Sequence, residues 1–120
     1  MSKQAVQFNV RLSINDGKFD AFEGIARAMT AGTLKEEGAL GYEWYLSGDR
    51  KHCHLIENYK DASAVQAHLE SAVVRELVPQ MLAVSSIDSF HVYGDSGPKA
   101  AEALNGIGVD IFRFWQGLGR

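Results

Sequence analysis

The stretch Leu55-Ile-Glu-Asn-Tyr-Lys-Asp-Ala-Ser-Ala-Val-Gln-Ala-His68-Leu69 reads as a strand, a cap and a helix. On the strand, Glu57 and Tyr59 share one face with Cys53 and Leu55, because side chains alternate along an extended chain. Asp61 is a suitable helix cap, its short carboxylate placed to accept a backbone N–H of the first turn. Val65, Leu69, Ala72 and Val73 then recur at helical spacing as an inner stripe. The segment so puts a Glu on the strand and a His one helical turn past the apolar start of the helix. Ionisable groups beside apolar surface point to a pocket, without naming a reaction.

Working outward, Val6, Phe8, Val10, Leu12 and Ile14 alternate with Gln7, Asn9, Arg11 and Ser13, which predicts a half-buried strand. Asn15-Asp16-Gly17 breaks it, with Asp16 read as the cap of a helix running from about Lys18 to Leu34. Its apolar stripe is Phe19, Phe22, Ile25, Ala26 and Met29. Glu36-Glu37-Gly38 ends it. Leu40 to Leu46 and His52 to Tyr59 form two strands joined by Gly48-Asp49-Arg50, where Gly is available for a positive φ. The second helix is expected to kink or restart before Pro79. Ile87 to Tyr93 is a fourth strand, Gly94 to Pro98 a loop, Lys99 to Leu104 a short helix, and Ile111 to Trp115 a last strand.

The order β-α-β-β-α-β is the split β-α-β arrangement of ferredoxin-like folds: an α+β chain whose antiparallel sheet carries both helices on one face. The other face is expected to include large groups such as Tyr, Trp or Phe. A second copy packing sheet against sheet would cover it, giving a homodimer.

The 120 residues fit one domain, with a core from about residue 5 to 95 and a C-terminal extension over 96–120. A net charge of −3 and scattered Lys and Arg argue against a sequence-independent nucleic-acid binder, which needs a basic face to neutralise phosphates. Cys53 is the only cysteine, so no internal disulfide forms and a cytoplasmic protein is the simpler expectation. The N-terminal residues lack the apolar region of a signal peptide, and no apolar run is long enough to span a membrane.

Three segments, Gly38-Ala-Leu-Gly-Tyr-Glu-Trp-Tyr-Leu-Ser47, His54-Leu-Ile-Glu-Asn-Tyr-Lys-Asp-Ala62 and His68-Leu-Glu-Ser71, resemble the antibiotic biosynthesis monooxygenase-like family. The most specific part is Glu-x-Tyr-x-Asp-x-x-Ala-x-x-x-His, carried here by Glu57, Tyr59, Asp61, Ala64 and His68. The resemblance covers roughly Val6 to Gly94 and implies a dimeric α+β barrel. Some members of that family oxidise aromatic polyketides or quinols with oxygen and neither metal nor flavin, so no cofactor is expected. Others degrade haem or isomerise small molecules, so the fold alone does not name the reaction.

His68 is the candidate catalytic residue. About 100° per residue puts it roughly 60° from the centre of the Val65–Leu69–Ala72 stripe, at the rim of a cavity between helix and sheet. A neutral imidazole there could take a proton from a phenol or hydroquinone; the plainer reading is a boundary His bonded to a backbone carbonyl. Tyr42 and Trp44 share a strand face and offer flat surface to a planar substrate, or else are core. Asn9 is a further candidate, because the resemblance implies an Asn on the first strand that bonds a ligand oxygen. Arg11 has the same parity and would suit an anionic group. Glu57 is read as architectural, orienting a polar partner or pairing with a cation across the dimer. His52 and His54 project to one face and look like a metal pair, but Glu57 projects to the other, so no metal site is expected. Nothing in the sequence activates Cys53 as a nucleophile.

These readings converge on a cofactor-independent monooxygenase acting on a small hydrophobic, aromatic or quinol-like molecule, with His68 as base and Asn9, Arg11, Tyr42 and Trp44 binding the substrate. The alternatives are a non-catalytic or differently reacting dimeric binder of small ligands, and a haem-degrading enzyme.

Overall fold

The computed structural model describes residues 4–119. Strand β1 (Val6–Ile14) leads to helix α1 (Phe19–Thr33), strands β2 (Ala39–Leu46) and β3 (His52–Tyr59), and helix α2 (Ala62–Leu69). A π-helical turn (Val73–Leu77) runs into α3 (Val78–Val84), followed by β4 (Ser85–Tyr93), α4 (Pro98–Asn105) and β5 (Asp110–Phe112). The sheet order is β2-β3-β1-β4-β5. All pairings are antiparallel except β4 with β5. The ferredoxin-like α+β arrangement is therefore present, with one parallel strand added at the edge.

Strand parity sets the two faces. Val6, Phe8, Val10, Leu12 and Ile14 are all buried under the helices, together with Cys53, Leu55, Glu57 and Tyr59 of β3. The pairs Phe8–Glu57, Val10–Leu55, Tyr42–Glu57 and Trp44–Leu55 put Tyr42 and Trp44 on this same face. The opposite face carries two of the expected large groups, Tyr45 and Tyr93, but is more polar than expected. It carries Gln7, Asn9 and Arg11 opposite Asn58, Ile56 and His54, and is mostly polar. Of the large aromatics of β1, β2 and β4, Phe8, Tyr42, Trp44 and Phe90 pack against the core or within it, whereas Tyr45 and Tyr93 lie exposed on the opposite face. Exposed apolar surface also gathers near the C-terminus, at Phe112, Phe114, Trp115 and Leu118.

Several local expectations shift for identifiable reasons. Asp16 is not a cap: α1 starts at Phe19, its N-cap is Lys18, and no side chain caps it. In the β2–β3 turn the left-handed residue is Arg50, with φ of 61°, and not Gly48. Asp49 steadies that turn by accepting from the Ser47 hydroxyl and the Lys51 N–H, while the Arg50 guanidinium lies 5.0 Å from the centre of the Phe19 ring. Asp61 does cap α2, accepting from Ala64 N–H at 2.9 Å. The expected break before Pro79 is the π-helical turn, after which Pro79 sits in the first turn of α3, where its missing N–H costs nothing. β5 ends at Phe112, three residues short of the expected Trp115.

Candidate active site

A cavity of about 160 Å³ lies between the helix layer and the sheet. Its walls are apolar, with Val10, Leu12 and Leu55 from the sheet and Met29, Leu69 and Met81 from the helices. Leu104 and Ile107, at the end of α4 and just beyond it, line it too, so the C-terminal extension contributes to the pocket. Four polar residues reach it: Tyr42, Trp44, Glu57 and His68. A second cleft of about 280 Å³ beside Tyr93, Phe112 and Phe114 has, among the described residues, no carboxylate or histidine in its wall.

The polar end is built from four segments. β3 supplies Glu57 and Tyr59, β2 supplies Tyr42, α2 supplies His68, and the turn after α1 supplies Glu36. Glu57 is 5% exposed and has no cation beside it; its Oε1 accepts the Tyr59 hydroxyl proton. His68 is 3% exposed. Its Nδ1 lies 3.0 and 3.2 Å from the two carboxylate oxygens of Glu36, and its Nε2 lies 3.7 Å from Glu57 Oε1. A carboxylate can only accept, so Nδ1 carries the hydrogen and Nε2 presents its lone pair toward Glu57. The Tyr42 and Tyr59 rings flank the imidazole, with centroids 5.7 and 5.4 Å away.

Burial dominates the electrostatics. Desolvation pushes the Glu57 carboxyl up to about 7, opposed by the Tyr59 hydrogen bond and reinforced by the negative charge of Glu36. Desolvation likewise pulls His68 below its ordinary value, against the opposing pull of Glu36. Tyr42 and Tyr59 are held protonated, first by burial and then by the Glu57 charge. Burial thus disfavours the charged form of both groups, raising the Glu57 carboxyl and lowering the His68 imidazole. Burial also pushes the Cys53 thiol up to about 11, which leaves it a poor nucleophile.

The structure brings together three of the five expected site residues, His68, Tyr42 and Trp44. Asn9 and Arg11 are corrected in position: strand parity turns them to the opposite face, away from the cavity that Phe8 and Val10 line. His68 is also deeper than the expected rim. α2 ends at Leu69, so Ala72 and Val73 do not belong to its stripe, and its buried face is Ala64, Val65 and His68. Its partner is a carboxylate rather than a backbone carbonyl. Trp44 is fixed by donating to Thr30 Oγ1 at 2.8 Å and by its edge contact with Phe22. Glu57 faces the cavity and not a second copy. Glu36 was legible only as a helix terminator, since nothing local links it to a His 32 positions away. Among the described residues, no three His, Cys, Asp or Glu side chains converge as metal ligands.

A split β-α-β sheet with a buried Glu–His–Glu cluster at one end of an apolar cavity defines the architecture of this chain. Its family follows from the sequence: the pattern of the antibiotic biosynthesis monooxygenase family matches residues 6–80, and the chain belongs to that family. No curated protein sequence matches it. Among solved structures, MupZ from Pseudomonas fluorescens superposes with a TM-score of 0.83 at 24% identity, over 98% of this chain and 95% of that one. Rv0793 from Mycobacterium tuberculosis gives 0.69 at 21% identity, over 78% and 97%. SnoaB from Streptomyces nogalater, a cofactor-independent oxygenase, gives 0.68 at 16% identity, over 79% and 96%. At these identities the likeness establishes a shared fold. Rv0793 and SnoaB are matched almost whole yet leave about a fifth of this chain uncovered, which MupZ does not. Among the described residues no helix is long and apolar enough to cross a membrane.

Proposed function

We propose that the protein is a cofactor-independent oxygenase acting on a small, largely apolar phenol or hydroquinone. The observation that carries this reading is the Glu57–His68 pair at the polar end of the apolar cavity, with Tyr42 and Trp44 beside it. His68 Nε2 takes the substrate O–H proton, and Glu57 shares it. The resulting anion is electron-rich and gives one electron to O₂. The carbon radical and superoxide combine to a peroxide, which loses water to leave a quinone, so oxygen is itself the oxidant. Membership of a monooxygenase family and the structural likeness to SnoaB support this reaction class.

A specific feature favours a second reading. Among the described residues no Lys or Arg lines the cavity, so a substrate anion would lie near Glu57 and Glu36 without a positive side chain from those residues to stabilise it. The same centre would then act as an acid. Protonated Glu57 gives its proton to a neutral oxygen function of the substrate, and an isomerisation or addition follows without O₂.

Oxygen uptake with a panel of hydroquinones separates the two. The oxygenase reading expects uptake that is lost in a folded His68→Ala variant. Unchanged turnover in that variant removes His68 from the mechanism, and equal turnover without oxygen selects the acid reading. Haem degradation is the weakest of the alternatives, because the cavity is below the roughly 300–1,000 Å³ usual for drug-sized ligands. Titration with haemin is expected to give no shifted Soret band.

We also propose that two copies pair through the open sheet face. Ile56, Tyr45 and Tyr93 lie on that face, and a second copy would cover them. The lone buried thiol suits a reducing compartment, which supports the cytoplasm as the proposed location.

A further inference from the structure

We propose that Glu36 and His68 form a proton path from solvent to the buried Glu57, entering behind the cavity rather than through it. The inference rests on the reading of Glu57 as a group that holds and gives up a proton, and it adds the route by which that proton is replaced.

Three placements carry it. Glu57 and His68 line the cavity, whereas Glu36 does not: it touches His68 from the far side of the ring. The Glu36 side chain is 18% exposed, against 6% for Glu57 and 4% for His68, so it is the member in contact with water. The imidazole presents one nitrogen to each carboxyl group, Nδ1 to Glu36 and Nε2 to Glu57. The remaining groups around the ring, the Tyr42 and Tyr59 phenols, are held protonated by burial and do not compete for the proton.

The steps balance without any external reagent. Glu57 gives its proton to substrate. With Glu57 anionic, the neutral ring carries its hydrogen on Nε2 toward it. Protonated Glu36 gives a proton to the free Nδ1, the imidazolium passes its Nε2 hydrogen to Glu57, and Glu36 takes a proton back from water. This leaves the Nδ1–H tautomer, which must return to Nε2–H before the next turn. Each ring nitrogen alternates between donor and acceptor as the charge passes. The 3.7 Å gap from Nε2 to Glu57 exceeds hydrogen-bond length, but ordinary displacements of about 0.5 Å per axis in each side chain close it. Glu36 itself is held on both sides, its N–H donating to Thr33 O at 2.9 Å and its carbonyl accepting from Ala39 N–H at 3.1 Å. A base on so fixed a turn keeps its aim at Nδ1. If solvent reached Glu57 only through the cavity mouth, bound substrate would block it; a rear entrance lets the centre reload while the cavity is occupied.

Time-resolved infrared spectroscopy after a pH jump tests this on the protein alone, with no substrate. The protonated Glu57 carbonyl band is assigned by its loss in Glu57→Gln, and its rise time is read in wild type, Glu36→Gln and Glu36→Asp. Gln keeps a hydrogen-bond acceptor for Nδ1 but cannot carry a proton. The expected result is a rise at least tenfold slower in Glu36→Gln, with most of the rate restored in Glu36→Asp. Equal rates in wild type and Glu36→Gln would overturn the path, as would equal slowing in the Gln and Asp variants, which would make Glu36 a structural support only. Absence of any buried carboxyl band in wild type would overturn both the path and the role of Glu57. A failed oxygenase assay leaves this measurement intact, so the two readings fail separately.

Discussion

Glu57 shows how a single buried residue gives the molecule its pH dependence. Its carboxyl is raised from 4.5 to about 7 by burial, so the folded chain holds a proton that the unfolded chain releases. The sign follows: wild-type stability falls as pH rises from about 4.5 to 7 and stays lower above that. His68 acts oppositely, since its lowered value makes the folded state resist protonation as pH drops below 6.5. Glu57→Gln removes the alkaline loss and keeps an acceptor for Tyr59. Urea unfolding across pH 5 to 8 is expected to show the variant gaining on wild type as pH rises, by on the order of 2 kcal/mol at pH 8. A constant difference across that range would contradict the assignment. Tyr59→Phe deletes the one donor bonded to Glu57 Oε1. It is expected to cost about 1–3 kcal/mol and to move the Glu57 titration further upward. A downward move would show that another group bonds the carboxylate.

At the scale of elements, β2, β3 and α2 must sit close for His68 to meet Glu57. Gly38, where the chain enters β2, permits this approach: a Cβ added there would lie 2.4 Å from Ala64 Cβ on α2. Gly38→Ala is expected to destabilise by about 1–3 kcal/mol through overpacking. Adding Ala64→Gly should restore part of the loss despite the helix cost of glycine, as read from chemical unfolding midpoints. A double variant as unstable as the sum of both single ones would mean the two positions do not press on each other. These elements were largely legible in the sequence, because alternation in β1 and β3 and the Asp61 cap are local signals. The breaks were less so. The β2–β3 turn is set by Asp49 hydrogen bonds that let Arg50 take the left-handed conformation, and the end of α2 at Leu69 depends on the π-helical turn that follows. That error moved His68 to the rim. Glu57 and Tyr59 were placed correctly on one face, but their neighbours were not. The approach of Glu36 is a tertiary contact with no local trace, and the burial that raises Glu57 follows from four segments closing together.

Across the whole molecule, a polar sheet face lies opposite the cavity and apolar side chains collect near the C-terminus. Asn9, Arg11, His54 and His91 come together on that face, where a second copy would bury them. Light scattering at micromolar concentration is expected to give twice the mass of the chain, and a stable monomer would contradict pairing. The exposed Trp115 offers a separate probe, at 86% exposure in the isolated chain. If the C-terminal residues join the contact, its fluorescence shifts to the blue as concentration rises through the dissociation constant; an unchanged spectrum during dimerisation would leave them outside it. The central claim is narrower than any of this: a buried Glu57 that exchanges its proton near neutral pH at the end of an apolar cavity. The most direct measurement is a carbon NMR titration of the glutamate carboxyls, with the Glu57 resonance assigned by its loss in Glu57→Gln. The account predicts a midpoint near 7 for that resonance. A midpoint in the ordinary range of about 4.3 would contradict it.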